Sequence, residues 1–494
     1  MKLNQLFCDL PVLEKKQWDP HRKIKKITSD SRLVEPGDLF VACRGSRMDG
    51  HDFLGQAIQA KASVLVGEEF PEIRIPKQVA WVRVRDSQAF LADLLRRFYH
   101  DPDLAVKLTG VTGTNGKTTV SYLLHRLLRE KIPAAYLGTL WYDLPGEKIP
   151  AMNTTPGPEI LLPLLDAMHR EEVQHCIMEV SSHALEQRRV YGLRYELAIF
   201  TQLTQDHLDY HGDMEHYFAA KRLLFDNGPR PKKMLINRDC PYGERLLIDY
   251  PQAKSFGIFG PADFRAKNIE TTFQGSGFVL CHGERETYFQ TRLPMHHNVS
   301  NVVAVLGALE MLGYDPVLFR SILQEIPEIP GRLERVPGTG PFDVFVDYAH
   351  TPDAIENVLS GARHLSPRRI LTLFGCGGDR DKGKRPLMVQ TACRYSDVLI
   401  LTSDNPRSED PELILKDMCR GIDPTLNRRP EIHEILDRRE AIDRLLSFAE
   451  PGDVCFILGK GHEDYQILGE AKIPFDDRLV AQECLKRKKR VFFS

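Results

Sequence analysis

The run Thr112-Gly-Thr-Asn-Gly116-Lys117-Thr118-Thr119 combines residue types suited to one task, cradling phosphate. Gly113 and Gly116 allow backbone N–H groups to converge on an anion, with Thr114 and Asn115 between them, and the amphipathic helix that the loop opens adds its N-terminal dipole. Lys117 can reach the β- and γ-phosphates of a nucleotide, and the Thr118 hydroxyl is placed to ligate Mg²⁺, with Thr119 beside it. The spacing departs from the generic GxxxxGK[ST] pattern, because Val111 stands where the first glycine belongs and Gly110 and Gly113 flank it. A purely structural glycine turn is the alternative reading.

A bound nucleoside triphosphate calls for cations, and further residues could hold them. Glu179 closes an otherwise apolar run in Met178-Glu-Val-Ser-Ser-His183, where a carboxylate is a poor choice for packing, so either a metal or a core ion pair explains it. Thr204-Gln-Asp206-His207-Leu-Asp209-Tyr-His211 places two histidines and two aspartates in eight residues, as a polar loop or a metal or substrate site would. By pattern alone Lys221, in Tyr217-Phe-Ala-Ala-Lys-Arg-Leu-Leu-Phe225, reads as an ordinary helix lysine.

The elements that must position these groups follow an α/β rhythm. Up to residue 103, short apolar runs (Asp38 to Ala42, Ala62 to Val66, Val79 to Val84) read as a small α/β domain, and Tyr99-His-Asp-Pro-Asp103 reads as a linker. From 104 to 331, strands alternate with helices, which implies a mostly parallel sheet carrying the phosphate loop. Its first strand is expected from Leu104 to Val111, followed by a helix with Val120, Leu123, Leu124, Leu127 and Leu128 on one face; further strands are expected at Cys176 to Val180 and Leu197 to Thr201. The stretch Ala262 to Pro294 alternates around Gly275-Ser-Gly277 as an antiparallel hairpin insertion would. From 332 to 494 a third, Rossmann-like α/β domain is expected, with strands at 344–347, 370–374, 398–402 and 454–458, and with Thr351 capping a helix that Pro352 opens. Ligands bind outside the carboxyl ends of such strands, so the chemistry is expected there.

Composition narrows the function classes. With 66 basic and 68 acidic residues among 494, no global field favours nucleic acid or an acidic membrane surface. The one basic run, Lys486 to Arg490, reads as a solvated tail. Met1 to Pro11 lacks the basic-then-apolar layout of a secretory signal, and no stretch has the apolar length of a membrane span, so a cytoplasmic protein without stable membrane insertion is expected. The ten cysteines include no CxxC pair, which argues against a disulfide framework or a zinc site.

With the phosphate loop, the Glu179 strand and the His207 segment in place, the chain resembles the Mur ligases, amide-forming enzymes of peptidoglycan assembly. The resemblance extends to His297-Asn-Val-Ser-Asn301, Gly331-Arg332, Asp347-Tyr-Ala-His350 and Gly459-Lys-Gly-His-Glu463, in the family's order over nearly the whole chain. It implies an N-terminal uridine-nucleotide domain, a central ATP-binding domain and a C-terminal amino-acid-binding domain. It also implies that Thr118, Glu179 and His207 hold Mg²⁺, two ions being expected, and that Asn301 contacts adenine, Asp347 the ribose, and Arg332 the nucleotide. Lys221 would carry a CO₂-derived carbamate supporting the second ion, which suits a site where an ammonium would be repelled.

Within the family two features resemble members that add meso-diaminopimelate to a UDP-muramoyl dipeptide. Ser29 and Ser31, in Thr28-Ser-Asp-Ser-Arg32, and Pro36 to Ala42 match the uridine-nucleotide domain, while Asn153, Thr154, Thr155, Ser181, Gln187 and Arg189 match positions that hold the dipeptide nucleotide. Asp404-Asn405-Pro406-Arg407 matches the recognition sequence for meso-diaminopimelate, in which a guanidinium can grip a carboxylate with two hydrogen bonds. Arg380 would bind another carboxylate, and Gly459 and Glu463 the amino group. The implied catalytic groups are Lys117, Lys221 and His207, with His211, His350 and Asp347 as candidate proton acceptors, in a monomer acting on small molecules. Rival readings are a lysine-adding Mur ligase, which should avoid Arg407, a folylpolyglutamate synthetase, which usually starts near its phosphate loop, and a phosphate-loop NTPase acting as a switch.

Overall fold

The structure is a computed structural model of the chain and describes every residue except Ser46, Arg47, Pro71, Glu72, Asn227, Thr339, Asn427, Phe493 and Ser494, with the side chains of 488–492 also outside the description. It falls into two compact units, one formed by Met1–Thr112, Leu128–Ala198 and Ala220–Met234, the other by Gly113–Leu127, Ile199–Ala219 and Leu235–Ser494.

The first unit holds a five-stranded sheet in which Ile27–Thr28, Leu39–Val41, Val64–Gly67 and Ala80–Arg83 run parallel and Glu14–Lys16 closes the edge antiparallel to Ala80–Arg83. Its central strands are buried on both faces, as parallel strands covered by helices must be. A second run of strands in this unit pairs Lys107–Thr112 and Ala134–Leu137 on either side of His175–Glu179, all parallel, and continues antiparallel through Tyr142–Leu144 and Glu147–Ile149. The expected strand start at Leu104 is overturned: Pro102–Leu104 forms a 3-10 turn, because Asp101 adopts a left-handed φ of 52° and proline favours the first helical position. Within Tyr99 to Asp103, Asp103 is buried and accepts hydrogen bonds from Arg96 Nε (3.3 Å) and Arg194 N (3.1 Å), which fixes the end of the segment.

In the second unit, the helix Lys117–Arg129 buries Val120, Leu123, Leu124 and Leu127 completely, at about 2 kcal/mol of stabilisation per aliphatic side chain. Strands Lys233–Asn237, Lys254–Gly257 and Phe264–Thr272 run parallel, and Gly275–His282 and Arg285–Thr291 then turn back antiparallel. The insertion is thus a three-stranded meander instead of one hairpin, and the antiparallel strands stand at the two ends of the sheet, beyond the parallel ones. Gly275-Ser-Gly277 opens its middle strand; Gly275 has φ 148°, and a Cβ there would lie 2.2 Å from Thr291 O.

The six-stranded sheet of the second unit has the spatial order Glu334–Arg335, Asp343–Asp347, Val454–Leu458, Ile370–Cys376, Val398–Ser403, Glu431–Glu434, parallel except for the first. Its strand residues alternate between two cores. Phe374, Leu399 and Phe456 pack with Ile355, Leu359, Val389 and Met418, whereas Leu373, Ile400 and Ile457 pack with Ile442, Leu445, Val480 and Cys484. Helices on both faces leave the carboxyl edge open, where the segments following four parallel strands gather. Thr351 caps the helix Pro352–His364 by accepting a hydrogen bond from Ala354 N. The basic run belongs to the helix Asp477–Phe492, with Lys486 and Arg487 exposed and the side chains of Lys488 to Arg490 outside the description.

Candidate active site

In the phosphate loop Gly113 and Gly116 have φ of 151° and 86°; a Cβ on Gly113 would meet Thr201 Oγ1 at 1.9 Å, and one on Gly116 would meet Asn301 Oδ1 at 2.6 Å. The loop is pinned from outside: Thr114 N donates to Gln202 O (2.7 Å), Thr201 Oγ1 to Asn115 O (2.6 Å), and Asn115 Nδ2 to Asp353 Oδ2 (2.8 Å). Lys117 Nζ donates to Gly113 O and Thr114 O, both at 2.9 Å, which curls it over the loop. Arg332 Nη2 donates to Thr118 Oγ1 (3.0 Å), and its guanidinium stands 4.8 Å from the centre of the Tyr348 ring.

A cavity of about 510 Å³ opens beside this loop. Asn115, Gly116, Thr119, Asn301, Arg332 and Asp347 line it, as do Phe259 and His297, on which the sequence reading placed no role. The Asp347 carboxylate accepts from Leu333 N and Ala349 N, each at 2.7 Å, yet burial raises its pKa above the usual carboxylate value. His350 Nδ1 lies 2.7 Å from the Tyr348 carbonyl, which can only accept, so Nδ1 carries the proton and Nε2 keeps its lone pair. Burial pushes the pKa of this imidazole down to about 4, leaving it neutral at physiological pH. Asp353 was missed by sequence reasoning. It also accepts from Thr204 Oγ1 (3.0 Å) and Asn357 Nδ2 (3.0 Å), and no local pattern could show three donors converging from separate segments.

In the first unit Glu179 is fully buried at the end of its strand. Its Oε1 accepts from Tyr136 OH (2.6 Å) and Thr139 N (2.8 Å), and its Oε2 from Thr139 Oγ1 (3.1 Å). Gly138 permits this, since a Cβ there would lie 2.4 Å from Glu179 Oε1. The same network takes in the muramoyl-dipeptide candidates. Thr154 Oγ1 lies 3.1 Å from Thr139 Oγ1, Thr155 Oγ1 donates to Glu179 O (2.9 Å), and Ser181 N donates to Thr155 Oγ1 (3.0 Å). Arg189 donates to Thr155 O (3.2 Å) and to Gln187 Oε1 (2.6 and 3.1 Å), and Tyr142 OH donates to Asn153 O (2.7 Å). Ser29 donates through both N and Oγ to the Glu159 carboxylate (2.9 and 2.6 Å), and Ser31 Oγ donates to Gln56 Oε1 (2.7 Å). Lys221, on the helix Met214–Asp226, is only 1% exposed. His207 has a left-handed φ of 54°, and His211 stacks on Tyr217 at 4.9 Å.

At the carboxyl edge of the six-stranded sheet, Asp404 to Arg407 and Gly459 to Glu463 face each other. Asn405 Nδ2 donates to Glu463 Oε2 (2.8 Å), and the buried Lys460 Nζ donates to Glu463 Oε2 (3.1 Å) and Asn405 Oδ1 (3.3 Å). Burial, with Asp404 beside it, raises the pKa of Glu463, and Lys460 opposes that rise. Arg407 has a left-handed φ of 52°, and its Nη1 donates to Gly378 O (2.8 Å). Pro406 packs so tightly on the neighbouring loop that a Cβ on Gly378 would lie 1.9 Å from Pro406 O. Arg380 is exposed and bonds to its own loop through Asp379 O.

A phosphate loop, a buried strand-end carboxylate and a facing pair of charged loops are groups that an ATP-dependent ligase would need. The chain belongs to the Mur ligase family: the family's catalytic-domain model matches residues 23–99, its middle-domain model 111–309 and its glutamate ligase domain model 331–461. The chain is 42% identical over 94% of both sequences to the UDP-N-acetylmuramoyl-L-alanyl-D-glutamate–2,6-diaminopimelate ligase of Solibacter usitatus. It is 41% identical to the enzyme of that name from Geobacillus thermodenitrificans, over 99% of this chain and all of that one. A solved structure of an enzyme of the same name superposes with a TM-score of 0.71 at 31% identity, covering 99% of each chain. Members of the family use ATP and Mg²⁺, and no helix among the described residues is long and apolar enough to cross a membrane.

Proposed function

We propose that this enzyme joins meso-diaminopimelate to UDP-N-acetylmuramoyl-L-alanyl-D-glutamate in the cytoplasm, acting as a monomer. The observation that carries the reading is the meeting of two loops that carry both signs of charge, Asp404 to Arg407 and Gly459 to Glu463, at the carboxyl edge of the last sheet. Arg407 offers a guanidinium to a carboxylate, while Asp404 and Glu463 offer anions to an ammonium group. Full-length identity of about 40% to enzymes named for this reaction supports it. A lysine side chain would set its terminal ammonium against Arg407.

In this reading the γ-carboxylate of the D-glutamyl residue attacks the γ-phosphorus of ATP, giving an acyl-phosphate and ADP. The amine then attacks the acyl carbon, the carbon–oxygen bond to phosphate breaks, and the amine gives up a proton. Gly113 to Thr119 and Arg332 hold the phosphates, Lys117 offsets charge developing on the γ-phosphate, and Asn301 and Asp347 take the adenine and ribose. Ser29, Ser31, Asn153, Thr154, Thr155, Ser181, Gln187 and Arg189 hold the UDP-muramoyl dipeptide. The amino acid takes Asp404, Asn405, Pro406 and Arg407, with Gly459 and Glu463 at its amino group and Arg380 at a second carboxylate. His211, His350 and Asp347 are the candidate proton acceptors, and the low pKa of His350 keeps it neutral but weakens it as a base.

Thr118, Glu179 and His207 would hold Mg²⁺, with a carbamate on Lys221 supporting a second ion; Thr118 and Glu179 supply side-chain oxygens, which a hard cation prefers. Bound Mg²⁺ supplies charge neutralisation at the phosphates. The test is phosphate release from ATP with the UDP-dipeptide, comparing meso-diaminopimelate with L-lysine. Release with diaminopimelate is expected; release with lysine alone overturns the assignment.

A further inference from the structure

Arg438 opens the helix Arg438–Phe448 and is fully buried, as is Asp477, which opens the helix Asp477–Phe492. The two form a bidentate ion pair, Nε to Oδ1 at 2.8 Å and Nη2 to Oδ2 at 2.7 Å. The same guanidinium donates through Nη1 to Ser403 O (3.2 Å) and through Nη2 to Leu458 O (3.0 Å). These carbonyls end two strands that are not neighbours, for Val398–Ser403 and Val454–Leu458 lie on opposite sides of Ile370–Cys376. Ser403 leads straight into Asp404 to Arg407, and Leu458 straight into Gly459 to Glu463.

We propose that the Arg438–Asp477 pair is a positioning device for the amino-acid pocket, fixing the spacing of the two recognition loops by clamping the strand ends from which they leave. The proposal rests on the reading of that pocket given above. A planar fork is needed, because a single rigid group must reach two carbonyls and a carboxylate at once, and a lysine ammonium is not shaped for that. Asp477 orients the fork and balances its buried charge. Burial alone would lower the pKa of Arg438, but Asp477 outweighs it, and Asp404 and Glu463 add to the rise. The loops have little slack to absorb a change in spacing, since a Cβ on Gly459 would lie 2.8 Å from Asp404 Oδ2. Lys460 ties the loops together above the strand ends, and Arg438 ties them below.

The test is steady-state kinetics of Arg438→Lys and Asp477→Asn in the full-length enzyme, varying each of the three substrates. The expected result is a KM for meso-diaminopimelate raised about tenfold or more, with weaker discrimination against L-lysine and unchanged KM for ATP and for the UDP-dipeptide. Should Arg438→Lys not fold, Asp477→Asn, nearly isosteric at the start of its helix, carries the same measurement. A lowered melting temperature with an unchanged KM for the amino acid, or an equal rise in all three KM values, overturns the proposal and leaves the pair a structural one. If the wild-type enzyme does not use meso-diaminopimelate, the substrate reading fails, and the clamp is judged by the same KM split with the amino acid it does use.

Discussion

Lys221 shows how much a single residue can carry. Its side chain is 1% exposed, and in the proposed function it carries the carbamate. A neutral amine can add to CO₂, forming a nitrogen–carbon bond and releasing a proton, which replaces a cation by an anion suited to a second Mg²⁺. Lys221→Ala is therefore expected to lose activity and to recover part of it with a small carboxylate such as acetate or formate; full activity without additive removes the carbamate from the account. The sequence did contain the signal for this burial. Lys221 lies four residues after Tyr217 and four before Phe225, both buried, so helical periodicity sets all three on the inner face. The phosphate loop was legible because its chemistry is local. Tyr136, Gly138 and Thr139 around Glu179 were not, because their roles come from a loop folding back over a strand end.

At the scale of elements, the helix Pro352–His364 is tied to the loop that the proposed function assigns to the nucleotide. Thr351 caps it, and Asp353 in its first turn accepts from Asn115 of the phosphate loop. Thr351→Ala is expected to cost about 1 kcal/mol of stability, read by thermal or urea unfolding. It should also raise the KM for ATP, since the first turn that aims Asp353 loosens; unchanged values of both would refute the coupling. Strands of the last sheet were readable as apolar runs bounded by turns. The three-stranded meander is not legible in full, because two short turns, Phe273-Gln274 and Gly283-Glu284, interrupt its alternation. Leu104 was misplaced for a related reason: apolar character alone does not separate a strand start from a 3-10 turn that proline initiates.

For the whole molecule, buried ionisable groups set the response to acid. His175, fully buried at the start of its strand, has its pKa pushed down to about 4, first by burial and then by Lys107. Its unfolded-state value is the ordinary 6.5, so the unfolded chain binds a proton that the native one refuses. The contribution is intact above that value and is lost as pH falls toward about 4, at up to about 1.4 kcal/mol per pH unit. Urea unfolding should show a smaller loss of stability between pH about 7.5 and about 5 for His175→Gln than for the wild type, and identical losses would contradict the assignment. The three-domain α/β order was legible from the succession of apolar runs. The pairing of Arg438 with Asp477 was not, because it joins two helix starts far apart in sequence through a buried contact that no periodicity marks.

The most direct measurement of the central claim is a mass-spectrometric count of products after ATP, UDP-muramoyl-alanyl-glutamate and meso-diaminopimelate are mixed with enzyme and Mg²⁺. One UDP-muramoyl tripeptide is expected for each ADP and each phosphate, with none of the three formed in quantity when the amino acid is withheld. Phosphate and ADP released at the same rate with no amide product would identify a nucleotide-hydrolysing switch and contradict the account.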